Sequence, residues 1–172
     1  MAEFDPVSML RILRSHDVEF LVVGGVAARL RGAPLLTQDV DITPEPTAVN
    51  LQRLAAALED MEARLRSATD TEGVRFPFDA DLLATKKLWT LTTKFGDLDL
   101  VLEPAGFEGF EELADGASPL RVATEPDLYV EVASLSDVIA SKEAAGREKD
   151  LAALPLLRTT LRESTGEPLP RS

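Results

Sequence analysis

"FLVVGGVAARLRGAPLLTQDVDIT", Phe20–Thr43, carries an apolar run, a double glycine and two aspartates one residue apart. The run "FLVV", ended by Gly24 and Gly25, reads as a short buried strand that breaks at a glycine turn. "VAARL" follows as a short helix stopped near Gly32 and Pro34. In "TQDVDIT" polar and apolar residues alternate, so Val40 and Ile42 point to one face of a strand and Asp39 and Asp41 to the other. Strand, turn, helix and strand within so few residues indicate an α/β (α+β) chain.

Upstream, Asp5 before Pro6 is an N-cap and first-turn signature, and it predicts a helix to about Ser15. Downstream, after the Pro44–Pro46 break, "TAVNLQRLAAALEDMEARL" has apolar residues at helical spacing and predicts one long amphipathic helix. "LWTLTTKFGDLDLVLEP" predicts a hairpin: a Thr-rich strand, a turn at Phe95-Gly96, and a return strand with Asp97, Asp99 and Val101 on one face. A helix near Phe107–Ala114, strands near Leu120–Val122 and Leu128–Val132, and two helices from about Leu135 complete the reading. The segment from Ser164 is polar and proline-bearing, which predicts a loose tail over 164–172 behind a single domain over 1–163.

The 172 residues suffice for one core, and a 45% hydrophobic, 28% charged composition is that of a folded globular chain. Without cysteine, a disulfide scaffold and a thiolate zinc site are both excluded. The N-terminal "MAEFDPVSML" has no basic segment followed by an apolar run, and no apolar stretch reaches membrane-spanning length, so a cytoplasmic location is expected. A net charge of −12 repels polyanions, so no DNA partner is expected. An RNA partner would need Arg29, Arg31, Lys86 and Lys87 to gather near the site.

Three Asp-x-Asp pairs occur: Asp39/Asp41, Asp79/Asp81 and Asp97/Asp99. The middle pair follows Pro77-Phe78 and reads as the start of a helix, where acids suit the dipole. Two carboxylates on one strand face lie about 7 Å apart, close enough to share divalent cations if they converge. Gly24-Gly25 could present free N–H groups to phosphate oxygens or could simply make a tight turn. His16 reads as a helix-end cation, Trp89 and Tyr129 as strand packing, and Arg11, Arg14, Arg158 and Arg162 as solvated helix residues.

In order along the chain, "VVGGVAARLRG", "TQDVDI" and "GDLDLV" resemble the nucleotidyltransferase superfamily that includes DNA polymerase beta. "SKEAAGREKD", Ser141–Asp150, resembles a late K-x-x-x-G-R-x-K-D helical segment of small bacterial nucleotidyltransferases of the abortive-infection toxin type. The resemblance spans roughly Phe20–Leu154. It implies a nucleotidyltransferase fold, a mixed twisted sheet flanked by helices. It also implies transfer of a nucleoside monophosphate from a nucleoside triphosphate to an acceptor hydroxyl on an RNA end, a protein or a small molecule.

Carried over by position, Asp39, Asp41 and Asp99 would ligate magnesium, as a pair of ions, with manganese a substitute. Asp97 is the competing third acid. Gly24, Gly25, Thr37, Lys142 and Arg147 would contact phosphate, with Asp150 supporting Arg147. Gly25 stands where many members have serine, and a counterpart of the large C-terminal helical domain of many relatives is not expected in these residues. Two rival readings stand beside the enzyme: a silent nucleotidyltransferase-like partner within a toxin–antitoxin pair, bound to a cognate regulatory protein, and a carboxylate-rich fold holding stray divalent ions.

Overall fold

The computed structural model describes residues 3–166. Helix α1, Pro6–Ser15, starts where Asp5 accepts from the Ser8 N–H, and Met9, Leu10 and Leu13 are its buried residues. Strand β1, Phe20–Val23, is buried along its whole length and leads directly into α2, Gly24–Leu30. The two glycines are therefore the first residues of the helix rather than a turn ahead of it. Strand β2, Asp39–Pro44, buries Val40 and Ile42 completely, while its two aspartates stay partly accessible.

Helix α3, Ala48–Asp60, is capped by Thr47 and turns Leu51, Leu54 and Leu58 inward. The sequence period extended this helix through Leu65. Instead it ends at Met61, Glu62 takes a φ of 55°, and the chain reverses into a two-residue strand β3, Arg64–Leu65. The reason is tertiary: Arg64 and Leu65 pair with Thr92 and Leu91 of β4, Leu88–Thr93. Between them lies α4, Ala80–Leu83, capped by Asp79 as the middle acid pair suggested. Its Leu83 carbonyl accepts from the indole N–H of buried Trp89.

Strand β5, Gly96–Val101, forms the expected hairpin with β4, with the turn at Lys94-Phe95. Helix α5, Phe110–Gly116, leads into a second hairpin, β6 at Ser118–Thr124 and β7 at Asp127–Val132. Tyr129 of β7 is half exposed on the solvent side of its strand, whose alternate residues Leu128 and Val130 are buried. Helices α6, Leu135–Ala145, and α7, Glu148–Thr165, close the fold. Ser164 and Thr165, placed in the tail by composition, continue α7 and bond back to the Leu161 carbonyl. The remainder of that tail, 167–172, lies outside the described residues.

The seven strands form one mixed sheet in the order β3-β4-β5-β2-β1-β7-β6. Strand β2 runs antiparallel to β1 and parallel to β5. The parallel pairing sets Asp39 opposite Asp97 and Asp41 opposite Asp99, so four carboxylates fall on one sheet face. The other face buries Val40, Ile42, Leu91, Leu98 and Leu100. Among the described residues no helix is long and apolar enough to cross a membrane.

Candidate active site

A cleft of about 760 Å³ opens over the acidic face of the sheet, and Gly24, Gly25, Thr37, Asp39, Asp41, Asp99, Lys142, Arg147 and Asp150 all line it. Residues far apart in sequence reach it because β1, β2 and β5 are adjacent in the sheet and residues of Leu135–Ala145 and Glu148–Thr165 line the same cleft.

Gly24 has a φ of 61°, and a Cβ added there would stand 2.3 Å from Asp41 Oδ2. Any side chain at this position would push the carboxylate aside, which explains the glycine more directly than turn geometry does. At Gly25 a Cβ would lie 2.9 Å from the Thr37 hydroxyl. Thr37 in turn donates to Asp39 Oδ1 at 3.0 Å. The double glycine thus makes room for the two elements that hold the aspartates.

One carboxylate oxygen from each of Asp39, Asp41 and Asp99 lies within 4.8 Å of the others, an arrangement able to hold a metal ion. Burial, then repulsion from Asp39 and Asp99, pushes the Asp41 carboxyl up to about 7, against the pull of Lys142 and Lys149. Burial likewise raises Asp99, with Arg66 opposing and Asp39 and Asp97 adding to the rise. A divalent cation would relieve this uncompensated charge, and oxygen donors of this kind suit a hard ion.

Asp97 lies within β5 rather than in the turn, opposite both Asp39 and Thr92. What separates it from Asp99 is position and exposure: its side chain is 40% exposed against 15%, and it stands outside the three-acid cluster.

The Ser141–Asp150 segment does not lie on one helix. Gly146, at a φ of 62°, ends α6, and Arg147 caps α7. Asp150, 1% exposed, accepts from Lys142 Nζ at 3.0 Å and from Arg147 Nε at 2.6 Å. Burial alone would raise the Asp150 carboxyl, but the Arg147 and Lys142 hydrogen bonds outweigh it and hold it below the usual range. The pinned cation is therefore Lys142 as well as Arg147.

Two cations went unnoticed in the sequence. Lys149 lines the cleft within reach of Asp41; it is the second lysine of the K-x-x-x-G-R-x-K-D pattern, the one to which the resemblance assigns no role. Arg66, which binds Asp97 and Asp99, followed residues read as helix; the alternation Arg64-Leu65-Arg66 was the available strand signal. Of the four basic residues weighed for RNA, Lys87 reaches the cleft rim, paired with Glu103 at 2.6 Å. Arg31 is spent on the Val132 and Ala133 carbonyls, and Lys86 sits over the Trp89 ring. His16 pairs with Asp60 at 2.6 Å, away from the cleft.

No family model matches the chain, and no curated protein matches it by sequence. Among solved structures it is similar to the lincosamide antibiotic adenylyltransferase LnuA, crystallised with lincomycin bound. The two share 15% identity at a TM-score of 0.61, over 92% of this chain and 99% of that one. At that identity the likeness speaks for architecture, and with the mixed sheet and its flanking helices it establishes that this chain has the nucleotidyltransferase fold.

Proposed function

We propose that the protein is a metal-dependent nucleotidyltransferase that moves a nucleoside monophosphate from a nucleoside triphosphate to the hydroxyl of an acceptor. The observation that carries this reading is the convergence of Asp39, Asp41 and Asp99 in one cleft, beside the glycine start of α2. Asp39, Asp41 and Asp99 would hold magnesium, or manganese in its place. When bound, such ions neutralise phosphate charge and polarise the reacting oxygens.

The chain's own residues supply the rest. Gly24 and Gly25 offer N–H groups at the helix start to phosphate oxygens. Lys142 and Arg147, steadied by Asp150, and Lys149 provide positive charge for the triphosphate from the opposite wall. The acceptor oxygen forms a bond to the α-phosphorus while the bond to the β-phosphate oxygen breaks, and pyrophosphate departs. The proton of the acceptor hydroxyl passes to Asp99, the carboxylate that would stand beside the attacking oxygen. Catalysis rests on alignment and charge compensation rather than a covalent intermediate.

A small hydroxylated molecule is the acceptor class that fits. Arg31 and Lys86 are engaged away from the cleft, acids stand at its rim, and a small antibiotic is the ligand in the structural neighbour. Calorimetric titration with each nucleoside triphosphate in magnesium tests the reading. Binding by the wild-type chain and its loss in Asp41→Asn support it; no binding to any triphosphate sinks it.

A further inference from the structure

Arg66 meets the acidic face from the β3–β4 flank. Its N–H donates to the Thr90 carbonyl at 3.0 Å, extending the β3–β4 pairing by one residue. Across β4 and β5, Thr90 lies opposite Asp99 and Thr92 opposite Asp97, which brings the Arg66 side chain over both acids. Nη2 donates to Asp99 Oδ1 at 2.9 Å, and Nε stands 3.3 Å from Asp97 Oδ2. The same Nη2 donates to the Leu91 carbonyl at 3.1 Å. A guanidinium is a rigid planar fork, so its tie to a main-chain carbonyl fixes the direction from which it grips a carboxylate.

Each clustered acid has its own support. Thr37 holds Asp39, and Asp41 packs against the bare backbone of Gly24. For Asp99 the support is Arg66. Asp97 and Asp99 line the cleft while Arg66 does not, so the guanidinium backs Asp99 and leaves the space in front of it clear. Without that grip, Asp99 would be free to rotate away from two neighbouring carboxylates.

Resting on the metal-dependent reading above, we propose that Arg66 is a positioning residue, holding the Asp99 carboxylate in the orientation that completes a divalent-cation site with Asp39 and Asp41. It touches neither cation nor substrate. Carboxylates that ligate metals depend on such hydrogen-bonded partners, and losing one costs about 10–100-fold in metal affinity.

The test is manganese binding to the full chain without nucleotide, read from the electron paramagnetic resonance signal of free Mn2+. Arg66→Gln, which keeps the length and loses the charged fork, is expected to bind about 10–100-fold more weakly than wild type. Arg66→Lys keeps the charge without the fork and falls between the two. In an Asp99→Asn background, adding Arg66→Gln changes affinity by less than about twofold, because the residue acts through Asp99. A general structural defect would instead weaken both backgrounds equally.

Thermal melts of the metal-free variants verify folding; with its side chain 33% exposed, Arg66 is expected to accept glutamine, and Arg66→Lys carries the test should glutamine fail. Unchanged affinity in either variant overturns the proposal. So does tighter binding in Arg66→Gln, which would make Arg66 a charge competing with the metal. Manganese binding that is absent in wild type, or untouched by Asp41→Asn, overturns the metal-dependent reading itself, and Arg66's role with it.

Discussion

At Gly24 there is no room for a side chain beside the Asp41 carboxylate. Replacing Gly24 by alanine puts a methyl group 2.3 Å from a carboxylate oxygen, at a φ that L side chains rarely adopt. Gly24→Ala is expected to cost about 1–3 kcal/mol, read as a lowered denaturant midpoint, and to abolish cation binding by displacing Asp41. Asp41 also makes stability depend on pH. Its folded value, about 7, lies above the ordinary carboxylate value, so ionising it costs more in the folded chain than in the unfolded one. The favourable contribution is complete below about pH 4 and is lost as pH rises through about 7. Asp41→Asn, which cannot ionise, should therefore melt a few degrees higher than wild type at pH 8 without metal, with the gain shrinking toward pH 5. A melt at each pH in EDTA checks this; an equal difference at both would count against it.

Among the elements, the α6–α7 junction holds the site's far wall through one buried acid. Asp150 orients Lys142 and Arg147, whose side chains are 20% and 63% exposed and can reach water if released. Asp150→Asn should cost about 1–3 kcal/mol in a urea melt at pH 7, less than leaving a charge stranded in the core. Because the Asp150 carboxyl is held low, that cost is present above about pH 4 and disappears as pH falls through the lowered value. The two cations would also lose their common direction, so triphosphate affinity should fall several-fold in calorimetry. Gly146 is visible in the sequence, and the resemblance sets the segment on a helix. A spacing of charges does not reveal that a left-handed glycine divides it. The overlong reading of α3 has the same origin, since the period of "EDMEARL" cannot report that Arg64 and Leu65 are wanted by β4.

Across the whole molecule, the cleft exists because β2 pairs in parallel with β5 and antiparallel with β1. Folding assembles the ligands, so ligands should in turn stabilise the fold: magnesium is expected to raise the melting temperature and ATP with magnesium to raise it further. Scanning calorimetry with EDTA, magnesium, and magnesium with ATP checks the order; stabilisation by magnesium with nothing added by any triphosphate would favour the bare cation-binding reading. What the sequence determined by itself was local. Alternation placed Asp39 and Asp41 on one strand face, capping residues started α1, α3 and α4, and the Thr-rich and Asp-Leu runs made the β4–β5 hairpin. These follow from steric and hydrogen-bonding preferences of neighbouring residues. Only the tertiary structure set Asp99 opposite Asp41, drew Lys142, Arg147 and Lys149 over the cleft, and brought Arg66 alongside the acids. Those placements depend on strand order and helix packing, whose energies come from burying surfaces contributed by distant segments.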